Sequence, residues 1–305
     1  MSCTCNTAGG NTGVPFCSPL QGVMHNLIIV PKYGSDGSLN AIDLENDTLS
    51  EQYFIDKFNA PNGKDRFFPL PFMENVENTR AEALNETANS GNIYRIKQGT
   101  RTLTGAMFKQ SPRFLEKLEK WLCIDFGVYE IDNTGALAGT LSADGKKLYP
   151  RYVLQGSFDG NYNYATDTTV QKIVISFQYD NAVKDSQIGL ITAENLGGAD
   201  LLNSNGLFDL NLKKANASTS DLTAEFVLDY GDVLNPIKIE GLTSSEIAIY
   251  NETDGQAVVI DSATENPAGR YAIAYSSGVI SGDVLRVSLV KEGYAPETYV
   301  KVTVS

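Results

Sequence analysis

The sequence has 305 residues, a length that predicts about two domains and a core large enough to fold without disulfide bonds. Its 37 acidic and 24 basic residues leave a net charge of −13, which argues against tight wrapping of nucleic acid, because phosphate binding needs clustered positive charge. The single histidine, His25, excludes any site with two or more histidine ligands.

Residues 1–31 contain no Asp, Glu, Lys or Arg and are predicted to form an uncharged N-terminal arm. Such segments are often disordered tails, and they also become ordered against neighbouring subunits. Near its end, Leu27–Val30 is predicted to be a buried strand that Pro31 terminates. The start lacks a basic and apolar leader, and no run of about 20 apolar residues follows, so we expect a chain made in a cytoplasm without a membrane segment.

Three of the four cysteines, Cys3, Cys5 and Cys17, lie near the N-terminus. Together with His25 they have the ligand types of a zinc site. Their spacing, C-x-C-x11-C-x7-H, is not that of a standard zinc finger or ribbon, so reduced thiols in a mobile segment are the alternative. Cys123 follows a predicted helix and is expected to pack as a small apolar group.

Residues 36–90 hold 11 acidic and 4 basic residues and are predicted to be rich in loops. Residues 75–88 are compatible with a short helix, although its apolar face is thin. The phenylalanines of this stretch either cover the main core or belong to an arm that contacts another subunit. They are Phe54, Phe58, Phe67, Phe68 and Phe72.

Residues 93–120 reverse the charge, with seven basic residues against Glu116 and Glu119. Acidic groups of another subunit are one candidate partner, and the 36–90 stretch is the obvious source of them. Nucleic acid is the rival partner, and a solvated face needs no partner at all. The basic residues are Arg95, Lys97, Arg101, Lys109, Arg113, Lys117 and Lys120.

One helix is predicted over Ser111–Leu122, because Ser111 is a favoured N-cap and Pro112 a favoured first residue. Apolar residues follow at spacings of three and four and form one stripe, which we expect to lie against a sheet. They are Phe114, Leu115, Leu118, Trp121 and Leu122.

After this helix the apolar pattern changes to a period of two, which is typical of β-strands. Asp144-Gly145 is a hairpin signal, so the strands are expected to form an antiparallel sheet that the helix covers. The predicted order is a strand at 124–131, turns at 132–135 and 143–146, a strand at 147–158 bent by Pro150 and Gly156, a loop at 159–167 and a strand at 169–179.

Seven short strands are predicted from Leu222 onward, a number that fits an immunoglobulin-like sandwich. This region has no Cys and no Trp, so the likeness rests on strand number alone. The strands are expected at 222–230, 237–242, 246–250, 257–261, 271–275, 284–291 and 299–304. Residues 190–220 would join two domains, which gives a division into 1–31, 32–215 and 220–305.

Catalytic motifs are missing from the sequence: there is no P-loop, dinucleotide-binding or nucleophile-elbow pattern, and a catalytic triad could use only His25. Asp125 and Glu130 could be offered as a glycosidase pair, but their separation of five residues places them on opposite faces of a strand. We therefore predict that the protein is not an enzyme. No catalytic, cofactor-binding or metal-binding residue is assigned, and zinc at the N-terminus stays an open question.

A longer pattern runs through the middle of the chain, over Ile93–Gly105, the helix, Gly127–Asp132, Tyr152–Phe158 and Thr169–Tyr179. Strands, a flanking helix and hairpins in this order resemble the tail tube proteins of long-tailed bacteriophages. An Ig-like C-terminal domain is also common in phage tail and other virion proteins. The resemblance implies a virion protein that forms stacked rings, usually hexameric, around a channel for DNA ejection.

From this resemblance we expect a mainly β (α+β) fold: an antiparallel β-barrel or sandwich of the tube type with one flanking helix, followed by an Ig-like β-sandwich. The implied partners are copies of the same chain, other tail proteins, and DNA that passes an acidic channel without specific binding. No membrane partner is expected. The alternatives are another virion part (capsid decoration, connector or baseplate protein), a surface glycan-binding module, or an enzyme with an unusual site.

Overall fold

The computed structural model describes residue 13 and residues 20–182, 184–276 and 278–305. Strands make up 45% of the structure and helices 11%, which confirms the mainly β class. Two α-helices occur among these residues, α1 (Glu51–Phe58) and α2 (Pro112–Glu119). Four short 3₁₀ helices cover Lys120–Cys123, Asp185–Gln187, Ala193–Leu196 and Ser244–Glu246.

Fourteen strands precede residue 200 in the described part of the chain. They are β1 (Met24–Pro31), β2 (Ile42–Asp43), β3 (Phe68–Pro69), β4 (Glu74–Arg80), β5 (Leu84–Thr87), β6 (Ile93–Lys97), β7 (Arg101–Phe108), β8 (Phe126–Asp132), β9 (Leu137–Leu141), β10 (Lys147–Tyr149), β11 (Arg151–Tyr152), β12 (Asp159–Asn163), β13 (Lys172–Gln178) and β14 (Ile188–Ile191).

These strands form three antiparallel sheets. The first sheet has the order β2-β10-β9-β8-β1-β3, with β11 also paired to β8 and β14 to β9. The second sheet has the order β12-β13-β7-β4, and β5 and β6 form a sheet of their own. The turn between β9 and β10 lies at the predicted Asp-Gly hairpin signal, as the sequence indicated.

The first sheet is covered on both faces. Successive residues of β1 point to opposite sides, so Leu27 and Ile29 join one core while Ile28 and Val30 join another. The second sheet and α2 cover the first of these cores, and α1 covers the second with Phe54. A strand buried on both faces has an uninterrupted apolar sequence, which is why this strand was predicted correctly.

Helix α2 begins as predicted, because the Ser111 Oγ accepts a hydrogen bond from the Arg113 backbone N–H at 3.2 Å. Leu118 is buried in the core between the two sheets, which confirms the expected packing of the apolar stripe against strands. Leu122 departs from the expectation and is 43% exposed. The chain changes to a 3₁₀ helix at Lys120, and the tighter turn rotates Leu122 out of the stripe.

Several predictions of local structure are wrong. The segment 75–88 contains β4 and β5 instead of a helix, because pairing of β4 with β7 outweighs a thin helical apolar face. The expected loop at 159–167 contains β12, which pairs with β13 along its length. Cys123 is exposed at the end of its 3₁₀ helix and does not pack as an apolar group. Pro150 divides the expected strand 147–158 into β10 and β11.

Nine strands follow in the described residues beyond 200. They are β15 (Leu210–Ala217), β16 (Asp221–Gly231), β17 (Pro236–Lys238), β18 (Ile247–Asn251), β19 (Gln256–Val258), β20 (Ile260–Glu265), β21 (Arg270–Tyr275), β22 (Val284–Leu289) and β23 (Tyr299–Thr303). One sheet has the order β15-β16-β21-β20, with β17 on β16, and the other has the order β19-β18-β22-β23. Both sheets contribute to one core, for example through Phe226, Tyr271 and Val287.

The expected linker at 190–220 is wrong in part, because it contains β15, which pairs with β16. The predicted boundary at residue 220 therefore falls between two paired strands. Lys213, Lys214 and a register shift interrupt the apolar alternation of β15, and that alternation is the signal a sequence-based assignment needs. Ion pairs connect this part to the preceding one, including Lys117 with Asp209 at 2.9 Å.

Candidate functional site

The chain leaves the second sheet at the end of β4 and returns to it at the start of β7. In between, β5 and β6 pair with each other and with no other strand of the described residues. Every residue of these two strands is exposed. We call residues 81–100 the projecting hairpin.

The projecting hairpin carries apolar side chains that the chain itself does not cover. Leu84, Ile93, Tyr94 and Ile96 are 50%, 69%, 57% and 57% exposed. Ile93 and Tyr94 are successive residues of a strand and therefore stand on opposite faces of the hairpin. Both faces of the hairpin are exposed and open to contact with another surface. A two-stranded hairpin is at best marginally stable in water unless it packs on something else.

Two arginines stand at the base of the projecting hairpin. Arg80 ends β4 and Arg101 begins β7, and the two residues pair directly across the strands. Both guanidinium groups bind the carboxylate of Asp185. Arg80 approaches it at 3.0 Å (Nη2 to Oδ1) and 3.2 Å (Nε to Oδ2), and Arg101 at 2.8 Å (Nη2 to Oδ2) and 3.1 Å (Nε to Oδ1).

A third arginine reaches the same carboxylate from the first sheet. Arg151 of β11 places its Nη2 atom 3.9 Å from the Asp185 Oδ1 atom, and its Nη1 atom pairs with Glu130. Its guanidinium lies over the Tyr179 ring, 4.2 Å from the centroid. Its Nε and Nη2 atoms are buried and have no hydrogen-bond partner among the described residues. We call Arg80, Arg101 and Arg151 the arginine cluster.

The electrostatics of this region fix two protonation states. Burial alone would raise the pKa of the Asp185 carboxyl, but hydrogen bonds from Arg101 and Arg80 outweigh it and hold that pKa below its ordinary value. Burial and the neighbouring Glu130 carboxylate raise the pKa of the Tyr179 phenol well above its ordinary value. Asp185 is therefore a carboxylate and Tyr179 a neutral hydrogen-bond donor, whose hydroxyl donates to Glu130.

The zinc hypothesis stays a prediction. Cys3, Cys5 and Cys17 lie outside the described residues. The His25 ring is partly buried, stacks on Phe72 at 4.7 Å, and places its Nδ1 atom 3.2 Å from the Met73 carbonyl oxygen. Among the residues that the structure describes, no group of three or more His, Cys, Asp or Glu side chains is placed to hold a metal ion.

The two carboxylates considered as a glycosidase pair do not share a surface. Asp125 is exposed just before β8, whereas Glu130 is buried and accepts hydrogen bonds from Arg151, Tyr179 and Gln21. Glu130 is thus a structural carboxylate that sequence reasoning missed. An acidic residue within an otherwise apolar strand was the available signal, but its partners are distant in sequence.

The phenylalanines of 36–90 divide between the two interpretations. Phe54, Phe58 and Phe67 are buried beneath the first sheet, so the core-covering interpretation is confirmed for them. Phe68 is half-buried and packs against the other core, and Phe72 is 49% exposed. For Phe72 the inter-subunit interpretation stays a prediction.

Basic residues of the stretch 93–120 form ion pairs with acids of the same chain. Lys117 pairs with Asp209, and Arg101 pairs with Asp185; both acids lie beyond residue 120. No ion pair in the described residues joins a basic residue of this stretch to an acid of 36–90. A contact between the two stretches on different subunits therefore stays a prediction.

A cleft of about 350 Å³ lies between α1 and residues 199–207. Phe54, Phe58 and Leu201 form part of its wall, and Asp200 and Glu292 add carboxylates. Its lining contains no His, Cys or Lys.

No helix in the described ranges is long and apolar enough to cross a membrane. Neither a family model nor a curated protein matches the sequence. The projecting hairpin and the arginine cluster at its base are therefore the features from which a function can be argued.

Proposed function

We propose that the chain is a structural subunit of a bacteriophage tail tube, which assembles with copies of itself into stacked rings around a channel for DNA. The projecting hairpin carries this proposal. Every residue of its strands is exposed, its apolar residues stand on both faces, and a two-stranded hairpin is at best marginally stable without a partner. In a structural subunit, the next copy of the chain supplies that partner.

The charges of the projecting hairpin also suit a contact between identical chains. Glu82 and Glu86 precede the turn, while Arg95 and Lys97 follow it. A surface that carries opposite charges on its two strands can meet a different surface of the next copy on each side, as the head-to-tail contacts of a ring require. Its second strand, β6, belongs to the segment Ile93–Gly105, which also contributes to the resemblance to tail tube proteins.

Passage of DNA is supported by the charge balance. The net charge of −13 favours a channel wall that repels phosphate, so DNA would pass without specific binding. Two of the basic residues that could oppose this, Arg101 and Lys117, are already paired with carboxylates. Hexameric rings, other tail proteins as partners and a location in the virion follow from the resemblance and complete the proposal.

The test combines negative-stain microscopy with light scattering on the purified full-length chain. We expect hollow rings or tubes for the unchanged protein. The double substitution Ile93→Ser with Ile96→Ser should leave the melting temperature unchanged and abolish assembly, since both side chains are exposed in the single chain. Ile280→Ser is the matched control, because Ile280 is 64% exposed outside the projecting hairpin and should not be needed for assembly. A chain that stays monomeric at all concentrations, or an altered hairpin that assembles normally, would contradict the proposal.

A glycan-binding module is the second candidate, and one feature favours it. The Arg286 guanidinium lies between the Tyr250 and Tyr299 rings, 4.9 Å from each centroid, on one face of the sheet β19-β18-β22-β23. Tyrosine rings and an arginine fork are groups with which proteins stack and hydrogen-bond sugars. This candidate predicts a monomer that binds surface glycans and loses that binding in Arg286→Ala.

A further inference from the structure

We infer that Arg80, Arg101 and Arg151 form a carboxylate-binding site, that Asp185 of the same chain occupies it, and that this occupation positions the projecting hairpin. The binding site stands on the geometry of the single chain. Only its consequence for assembly rests on the proposed function.

The first argument is the placement of two like charges. Arg80 and Arg101 are direct partners on adjacent antiparallel strands, an arrangement that is destabilising unless a counter-charge lies between the groups. Asp185 supplies that charge through four N–O contacts of 2.8–3.2 Å. The planar fork of a guanidinium matches a carboxylate, so each arginine binds it through two nitrogens.

The second argument is the unpartnered part of Arg151. Its side chain is 2% exposed, and the buried Nε and Nη2 atoms lack hydrogen-bond partners in the described structure. A buried charged donor without an acceptor is costly, so these atoms add to the attraction for an anion at this place. The Asp185 carboxylate is the anion that Nη2 approaches, at 3.9 Å.

The position of the site links it to the hairpin. Arg80 and Arg101 belong to the second sheet and Arg151 to the first, so one carboxylate joins both sheets where the hairpin begins. Arg80 also donates from Nη1 to the Gly99 carbonyl oxygen at 2.9 Å. Without the carboxylate, repulsion between the two guanidinium groups would separate the strands that enter and leave the hairpin. Asp185 is therefore a positioning residue that acts through Arg80 and Arg101.

The experiment measures trypsin cleavage after Arg95 and Lys97 in unassembled, full-length protein. We expect Asp185→Ala to be cleaved roughly tenfold faster than the unchanged chain, because hydrogen bonds to charged groups hold the base of the hairpin closed. Formate, added as a free carboxylate, should restore slow cleavage in Asp185→Ala, whereas chloride at equal ionic strength should not. Asp209→Ala removes a different paired carboxylate, and neither salt should change the rate at which trypsin cleaves its hairpin.

Asp185→Asn provides a second variant that keeps the shape of the side chain. It should also be cleaved faster, and formate should not protect it, because the amide fills the site without the charge. Normal cleavage of Asp185→Ala, or fast cleavage that formate does not slow, would overturn the inference. Failure of the unchanged chain to assemble would count against the proposed function alone, since cleavage is measured on single chains.

Discussion

Arg151 and Glu130 form an ion pair that is almost completely shielded from water, with side chains 2% and 1% exposed. The pair joins β11 to β8 within the first sheet. Tyr179 extends the network, because its hydroxyl donates a hydrogen bond to Glu130. Bringing two charges into a protein interior is costly, and their mutual attraction offsets that cost only while both partners remain. This asymmetry makes the pair testable.

Removing only Glu130 should lower the free energy of unfolding much more than removing both partners does. Glu130→Leu leaves a buried, uncompensated Arg151 and should lower the free energy of unfolding by about 3–5 kcal/mol. The double substitution Glu130→Leu with Arg151→Met should recover most of that loss, because apolar side chains of similar volume can replace a buried ion pair. Urea denaturation measures both values, and equal loss in the single and double variants would contradict the prediction.

Asp185 should make the stability of the protein sensitive to acid. Its pKa is lowered in the folded state, so its contribution to the free energy of unfolding is complete well above the ordinary value of 3.8. The contribution is lost as the pH falls through the lower folded-state pKa. The difference in stability between the unchanged chain and Asp185→Asn should therefore shrink below pH 3.8. Denaturation at a series of pH values measures it, and a difference that stays constant would refute the assignment.

Gly99 should be required at the base of the projecting hairpin. A Cβ atom at this position would lie 1.8 Å from the Ala81 carbonyl oxygen. Gly99→Ala must therefore push apart the two chain segments that enter and leave the hairpin. We expect a loss of about 1–3 kcal/mol in stability, typical of overpacking, together with faster trypsin cleavage of the hairpin. Gly63→Ala is the control, because its added Cβ meets no atom within 4 Å. Equal stability and equal cleavage rates in the two variants would contradict the prediction, because they would show that the base of the hairpin accommodates the added Cβ atom.

The N-cap of α2 offers a local test of the helix. Ser111→Ala removes the acceptor of the Arg113 backbone N–H and should lower the free energy of unfolding by about 1 kcal/mol. Ser111→Asp keeps an acceptor and should retain stability close to that of the unchanged chain. Thermal denaturation compares the three proteins, and an unchanged melting temperature for Ser111→Ala would count against the cap.

Local signals in the sequence predicted a substantial part of the fold. The apolar run of β1, the Ser111-Pro112 start of α2 and the Asp144-Gly145 turn each depend on neighbours within a few residues, and each was predicted correctly. The strand β15 and the segment 75–88 were misassigned because pairing with a distant strand decides their conformation. Sequence periodicity does not contain that information.

The candidate site was still harder to predict. The projecting hairpin lies where an acidic stretch meets a basic one, so the sequence indicated an unusual segment but not its shape. The contact of Asp185 with Arg80 and Arg101 spans 105 and 84 residues of chain. Nothing near Asp185 in the sequence distinguishes it from the other carboxylates, and only the meeting of the two sheets brings it to the arginines.

The exposure of the projecting hairpin has a kinetic consequence for the proposed assembly. The first chains to meet must order their hairpins against each other without a supporting surface, whereas every later chain adds to hairpins that are already fixed. Polymerisation should therefore begin slowly, require a threshold protein concentration, and lose its lag phase when short preformed tubes are added as seeds.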